Sequence, residues 1–397
     1  MIKHYKYLII GGGLTGDAAV KGIRELDSDG TIVMVSAEAN PPYSRPPLSK
    51  DLWKGKDEAK IWKKTSEQGV DIRLNTRVKK IDPMAKSVTI ETGDKLLYDR
   101  LLLATGAVTN KFPFGGEDVI YYRTYDDYKK LRELTKEKDN IVVIGGGFIG
   151  SEIAAAMAMN GKKVTMIFPA AGIGDTIFPA ELSSFITDYY KAKGVQIMNS
   201  NTVVAMKNKN GAFELTTGKE AKVGADIVIG GIGVRPDTAL AEASGVMVNN
   251  GIMVDEFLRT SQPSIFAAGD AANFYNPALD KRIRVEHEDN ALKMGKQAGR
   301  VMAGSEEPYH HLPFFYSDMF ELGYEAVGEL NSEMHIYADW KEKFKEGVIY
   351  YMSEQRVRGV LLWNVWGQVD EARKIIAEKG PFIPDDLKGR LPVKKEK

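Results

Sequence analysis

Two sets of glycines carry the clearest chemistry in this chain. Gly11, Gly13 and Gly16 follow the apolar run Tyr7 to Ile10 in G-x-G-x-x-G spacing, and Gly145, Gly147 and Gly150 repeat it after Ile141 to Ile144. In such a set the first glycine allows a tight turn and the second lets a pyrophosphate reach the backbone. The third lets the following helix pack closely on the strand. Glu38 follows a second apolar strand, Thr31 to Val35, where a carboxylate accepts from a ribose hydroxyl. Asp270, in Ala268-Gly-Asp270, follows the run Ile265 to Ala268. It would stand at the carboxyl end of a strand, where open α/β sheets take ligands. The same aspartate also reads as a helix N-cap. A motif repeated in full context outweighs a single match, so two nucleotide sites are expected.

Each glycine set needs a strand before it and a helix behind it. Ala18, Ala19, Gly22, Ile23 and Leu26 have helical spacing after the first set. After the second, a helix is expected to begin at Ser151-Glu152-Ile153, with Lys163 to Ile167 the next strand. The second set departs from the first beyond that strand. The window Phe168 to Gly174 holds no acid before Asp175, and no arginine or lysine. The usual reader of the ribose 2′ position is missing there, which predicts only modest discrimination at that position.

Between the two sets, Asn40 to Trp53 is a proline-fixed loop with Arg45 and Lys50 as its cations. By themselves these also read as solvated surface charges. Strand pieces are expected at Val70 to Leu74, around Val78 and Ile81, at Val88 to Ile90, at Asp99 to Gly106 and at Asp226 to Pro236. After Asp270, small residues are expected to start a helix. Val285 to Met302 reads as another helix with an acidic first turn. His287 at its start reads alone as a capping or packed histidine. His310 and His311 read as surface residues, because no i,i+4 partner completes a metal set. Ile349 to Met352 and Val357 to Trp366 read as paired antiparallel strands, Gln368 to Glu378 as a helix, and Lys394 to Lys397 as a frayed end.

Composition removes several alternatives. The 397 residues are 43% hydrophobic, enough for two or three domains with real cores. Lysine plus arginine and aspartate plus glutamate both number 54, so no global charge points to nucleic acid or a membrane surface. Cysteine is absent, which excludes disulfides, thiolate metal sites and cysteine-based redox chemistry. No apolar run reaches the about 18 residues of a membrane span. The amino-terminal stretch does not read as a signal peptide, so a cytoplasmic location is expected.

The two glycine units, Ala104-Thr-Gly106 and Ala268-Gly-Asp270 resemble the flavoprotein reductases with two dinucleotide-binding domains. A narrower set of motifs is similar to the apoptosis-inducing factor-like and ferredoxin reductase-like members. It consists of Tyr43-x-Arg45-Pro-Pro-Leu-Ser-Lys50-x-Leu-Trp53, Gly145-Gly-Gly-Phe-Ile-Gly-Ser-Glu152, Val285-Glu-His287-x-Asp289, Tyr316-Ser-Asp318, Gly323-Tyr-Glu325-Ala and Leu362-Trp363-Asn364. The resemblance implies that Gly11, Gly13, Gly16, Glu38, Arg45, Lys50, Arg123, Asp270, His287 and Tyr316 hold FAD. It implies that Gly145, Gly147, Phe148, Gly150, Glu152, Gly233, Glu286 and Glu325 hold NADH or NADPH. Lys50 and Glu152 would form the catalytic pair, with no metal. Two positions depart from the family pattern: Tyr316 stands where it has tryptophan, and Ala170 where it has an acid.

The fold class expected is α/β, with two Rossmann-like dinucleotide-binding domains and a C-terminal α/β domain. The FAD-binding domain is expected at residues 1–115 and 239–308, the NAD(P)H-binding domain at 116–238 and the C-terminal domain at 309–397. The resemblance implies an FAD-dependent NAD(P)H oxidoreductase that passes electrons to an external acceptor: ferredoxin, rubredoxin, quinone or oxygen. The alternative is a redox-gated binding flavoprotein with slow turnover and a nucleotide-dependent change of partner or oligomer. A homodimer is compatible with either.

Overall fold

The computed structural model describes residues 3–391; the expected frayed end at Lys394 to Lys397 lies outside them. The chain divides into two compact units. The first comprises Met1–Ser44, Glu58–Val108 and Val234–Pro313, and the second Arg45–Asp57, Thr109–Gly233 and Phe314–Lys397.

The first unit is built on a seven-stranded sheet. Its path runs Val70–Arg73, Ile32–Val35, Lys3–Ile10, Lys95–Leu103, Ser87–Ile90, Val78–Asp82. The strands from Val70 to Lys95 along this path pair in parallel, and the last two are antiparallel additions. The long strand Lys95–Leu103 serves two partners. Its first residues pair with Ser87–Thr89, and Leu101–Leu103 pair in parallel with Ile265–Ala267. Leu8, Ile9, Val33, Met34, Leu101 and Leu102 are almost wholly buried, as in a parallel sheet covered on both faces. Helices Leu14–Arg24 and Glu288–Met302 pack against each other at close range. A methyl group on Gly22, Gly295 or Gly299 would lie 2.0, 2.4 or 2.0 Å from a backbone oxygen of the opposite helix. Small residues there permit the approach that brings the start of each helix to one end of the sheet.

After Asp270 the structure departs from expectation. Gly269–Ala271 is a single 3-10 turn whose N-cap is Ala268, and the chain continues as strand Ala272–Asn276 rather than a helix. Asp270 is therefore not an N-cap. His311 is not a free surface group either: its Nε2 lies 2.5 Å from Asp289 Oδ2, and both side chains are largely covered.

The second unit contains a parallel sheet in the order Gln196–Met198, Lys163–Ile167, Asn140–Ile144, Ile227–Gly230, Val119–Ile120. A three-stranded antiparallel sheet, Val203–Lys209, Ala212–Thr217 and Lys222–Ala225, belongs to it as well. The C-terminal part forms a five-stranded antiparallel sheet in the order Phe314–Met319, Leu322–Gly328, Arg356–Trp363, Glu346–Ser353, His335–Glu342. Helix Val369–Ala377 packs on it through Ala372, Ile375 and Ile376. The hairpin expected from the two apolar runs near Ile349 and Val357 is present, in antiparallel register. The segment Arg45–Asp57 groups with this unit, as two 3-10 turns, Pro46–Ser49 and Asp51–Lys54. Helix Phe148–Met159 starts three residues before the expected Ser151, so Glu152 lies in its second turn rather than its first.

Candidate functional site

The two glycine loops have the same geometry. Gly11 and Gly145 adopt φ of +122° and +123°, a region open to glycine and strained for other residues. A Cβ at Gly11 would lie 2.0 Å from the Ala104 oxygen, and one at Gly145 2.2 Å from the Gly231 oxygen. Gly16 and Gly150 face the oxygens of Gly11 and Gly145, where a Cβ would come within 2.3 and 2.2 Å. Gly13 and Gly147 are different: a Cβ on either would meet nothing within 4 Å. Both are helix N-caps, with φ/ψ of −88°/−169° and −84°/−167°, and neither helix has a side-chain cap. Each loop is thus turned by one glycine, packed by another, and left open at the amino end of a helix, which favours an anion. These cradles fit the pyrophosphates of two dinucleotides.

In the first unit, Gly11 N–H donates to the Val35 carbonyl at 2.9 Å, tying the loop to the end of strand Ile32–Val35. Glu38 follows that strand end. It is half-buried, and its Oε2 accepts from the Tyr43 hydroxyl at 2.6 Å. Asp270 is presented by the turn after Ile265–Ala267. That turn rests on the first helix, since a Cβ on Gly269 would lie 2.3 Å from Thr15 Oγ1. The Asp270 carbonyl accepts from Arg284 Nη1 at 3.2 Å, and the same guanidinium pairs with the exposed Glu286. His287 is the N-cap of Glu288–Met302 but makes no side-chain cap bond.

In the second unit, Lys50 and Glu152 meet. Lys50 Nζ lies 2.6 Å from Glu152 Oε1, with the side chains 9% and 4% exposed. Two hydroxyls complete the carboxylate: Ser317 Oγ donates to Oε1 at 2.6 Å and Ser49 Oγ to Oε2 at 2.5 Å. A buried carboxylate with a paired cation and two hydrogen bonds is well satisfied. The Lys50 ammonium also lies 5.2 Å from the centre of the Tyr316 ring, within cation–π range. The turn that carries Ser49 and Lys50 is fixed through its Leu48 carbonyl, which accepts from Trp53 Nε1 at 2.9 Å and the Tyr122 hydroxyl at 2.5 Å. Burial, and then the Glu152 charge, push the Tyr190 and Tyr324 hydroxyls well above the ordinary phenol range. Both phenols therefore stay protonated beside the carboxylate.

The remaining expected residues of this unit lie in four separate places. Arg45 Nη1 donates to the Arg123 carbonyl at 3.1 Å, so these two are neighbours. Phe148, 37% exposed, opens the second helix and meets Phe315 edge-on at 5.4 Å. Gly233, at φ +83°, accepts from the Asn110 N–H at 3.0 Å. Glu325 accepts from the Gly367 N–H at 3.0 Å, and burial holds its carboxyl above the usual range. Ser49 and Ser317 stand inside two of the quoted motifs, next to Lys50 and Tyr316, yet the motifs assign them no role. Asp175 was visible in sequence but too far along the chain to be assigned; its carboxylate accepts from the Ala171 N–H at 3.0 Å. Among the described residues, no group of three or more acids and histidines could hold a metal, and no helix is long and apolar enough to cross a membrane.

Comparison with known proteins identifies the family. The family model for pyridine nucleotide-disulphide oxidoreductases matches residues 5–295, and the apoptosis-inducing factor C-terminal model matches residues 334–378. Apoptosis-inducing factor 1 of Dictyostelium discoideum is 31% identical, over 95% of this chain and 79% of its own. The ferredoxin–NAD(+) reductase component of the 3-phenylpropionate/cinnamic acid dioxygenase of Photorhabdus laumondii is also 31% identical, over 96% of this chain and 98% of its own. Among solved structures, the reductase of the covalent putidaredoxin reductase–putidaredoxin complex superposes with a TM-score of 0.89 at 29% identity, covering 96% of this chain and 95% of that one. The family is named for disulphide chemistry, but this chain has no cysteine with which to perform it. By its two matched glycine cradles and the span of the family match, the chain belongs to the pyridine nucleotide-disulphide oxidoreductase family and is an FAD-dependent NAD(P)H oxidoreductase that passes electrons to an acceptor.

Proposed function

We propose that this chain oxidises NAD(P)H through FAD and hands the electrons to a small redox protein. The observation that carries the reading is the duplicated loop, with Gly11 and Gly145 at nearly the same positive φ and open space at Gly13 and Gly147. In this reading Gly11, Gly13, Gly16, Glu38, Arg45, Lys50, Arg123, Asp270, His287 and Tyr316 hold FAD. Gly145, Gly147, Phe148, Gly150, Glu152, Gly233, Glu286 and Glu325 hold the nicotinamide nucleotide. The corresponding division is an FAD part at 1–115 and 239–308, an NAD(P)H part at 116–238 and a C-terminal part at 309–397. A homodimer and a cytoplasmic location belong to the same reading.

When bound, FAD supplies the hydride acceptor for nicotinamide and the outlet for electrons to the next carrier. The protein's own contribution is position and charge. Lys50 presents a cation where negative charge develops, and enclosure strengthens its field. Glu152 holds that ammonium, and the hydroxyls of Ser49 and Ser317 hold Glu152. The high phenol pKa of Tyr190 and Tyr324 keeps further negative charge away from the pair. The acceptor follows from two similarities, a ferredoxin–NAD(+) reductase component and a reductase solved with its putidaredoxin. Reduction by NADH, followed by reoxidation with ferredoxin, rubredoxin, quinone or oxygen, tests it. Oxygen or quinone outpacing every small iron–sulfur protein would contradict this acceptor.

The C-terminal match to the apoptosis-inducing factor model favours a second reading, a redox-gated binding flavoprotein. That reading requires slow turnover with every acceptor and a change of mass on adding NADH, measured by light scattering.

A further inference from the structure

The register of the two parallel sheets allows the loops after their second strands to be compared residue by residue. Ile10 pairs with Val35 in the first unit, and Ile144 pairs with Ile167 in the second. Ser36 and Phe168 are then equivalent, and each lies under the middle glycine of its loop. A Cβ on Gly12 would strike Ser36 at 2.5 Å, and one on Gly146 would strike Phe168 at 2.9 Å. Two residues further on, Glu38 in the first unit corresponds to Ala170 in the second. The second unit therefore lacks an acid at the equivalent chain position.

An acid arrives at that place from further along the chain. The segment after Ala170 turns back on itself, and Gly174 N–H donates to the Gly146 carbonyl of the glycine loop at 3.1 Å. The next residue, Asp175, directs its Oδ2 to the Ala171 N–H at 3.0 Å, one residue from the Glu38 equivalent. The turn is held on several sides. Ile173 N–H donates to Thr187 Oγ1 at 2.9 Å, Ser183 Oγ donates to the Ile173 carbonyl at 2.9 Å, and the Tyr351 hydroxyl donates to the Ile177 carbonyl at 2.6 Å. No lysine or arginine occurs in residues 168–178, nor in residues 194–206, which include the neighbouring strand Gln196–Met198 and its exit. Asn199, the nearest polar side chain from that strand's exit, is neutral, and its amide is engaged by the Ala171 carbonyl at 2.6 Å.

We propose that Asp175 is the ribose-reading carboxylate of the second nucleotide site and sets a preference for a free 2′-hydroxyl over a 2′-phosphate. The proposal rests on the reading of the second glycine loop as the NAD(P)H site. One carboxylate oxygen is engaged by Ala171, and the other accepts from a sugar hydroxyl. A 2′-phosphate dianion at that position meets a carboxylate and no lysine or arginine from residues 168–178 or 194–206, and a repulsive element of this kind creates specificity. The turn thus restores, with a residue from a different chain position, what Ala170 removes.

Calorimetric titration of the flavin-loaded protein with ADP-ribose and 2′-phospho-ADP-ribose tests the assignment without turnover. The wild type should bind ADP-ribose at least about tenfold more tightly. Asp175→Asn keeps an acceptor for the Ala171 N–H and removes the charge, and it should bring the ratio to within about threefold of unity, mainly by tighter binding of the phosphorylated ligand. In an Asp175→Asn background, Ala170→Glu should restore the preference. Equal binding of both ligands by the wild type, or an unchanged ratio in Asp175→Asn, would overturn the role of Asp175 while leaving the loop a nucleotide site. Failure of the wild type to bind either ligand would overturn the reading of the loop and this proposal with it.

Discussion

Lys50 and Glu152, about a hundred residues apart in sequence, form a nearly enclosed ion pair with Nζ 2.6 Å from Oε1. Ser49 and Ser317 bind the same carboxylate, so removing Lys50 leaves a buried carboxylate with hydroxyl partners alone, and removing Glu152 leaves the buried Lys50 ammonium without its counter-ion. Lys50→Ala and Glu152→Ala should each cost about 3–5 kcal/mol of stability, measured by urea unfolding. Each should also slow flavin reduction in stopped flow. The double variant should be less than multiplicatively worse, because the first change already removes the interaction. Independent, multiplying effects would mean that the two side chains do not act as one group.

The two glycine positions of the second loop predict opposite phenotypes. Gly145→Ala forces a side chain onto a positive φ and to within 2.2 Å of the Gly231 oxygen, so folding should suffer by about 1–3 kcal/mol or more. Gly147→Ala meets open space, and its folding cost should stay within about 1 kcal/mol. Its added methyl stands where a pyrophosphate would approach, so NADH affinity should fall while flavin content is unchanged. Wild-type NADH affinity in Gly147→Ala would remove the phosphate from that loop.

Asp270→Ala should release flavin more readily than the wild type. The carboxylate stands on a turn fixed to Thr15, and loss of a charge-assisted hydrogen bond to a ribityl hydroxyl weakens retention. Flavin retained after gel filtration in dilute urea is the readout. Unchanged content in the variant would exclude Asp270 from the flavin site.

Glu325 supplies a pH-dependent test. Burial raises its carboxyl above the usual range, so the folded chain holds this proton more tightly than the unfolded chain. Ionisation then costs stability above the raised value, and the cost disappears as pH falls below the unfolded value. Glu325→Gln keeps an acceptor for the Gly367 N–H. It should therefore raise Tm near pH 7, with the gain shrinking towards about pH 4, the ordinary glutamate range. A loss of Tm at neutral pH would show that the ionised carboxylate is stabilising instead.

Local patterns account for much of what sequence made legible. The glycine spacing, the apolar runs before it and the helical pattern after it are all short-range, and both loops formed as that spacing implies. Long-range closures were not legible. Ser49 and Ser317 reach Glu152 from separate elements, and the motifs that contain them do not say that they share one carboxylate. Asp175 reaches the Ala171 N–H through a turn pinned by Ser183, Thr187 and Tyr351, a proximity that no linear window shows. The expected helix after Asp270 failed for a related reason. Small residues fit a helix start, but Phe274 to Asn276 pair with Lys281–Ile283, and that pairing overrides local preference.

Anaerobic titration of the purified yellow protein with NADH tests the central claim most directly. One FAD per chain, bleached by about one equivalent of NADH and recoloured on adding an oxidised small iron–sulfur protein, is the predicted result. A protein that purifies without flavin, or whose flavin keeps its colour under excess NADH and excess NADPH, would contradict it.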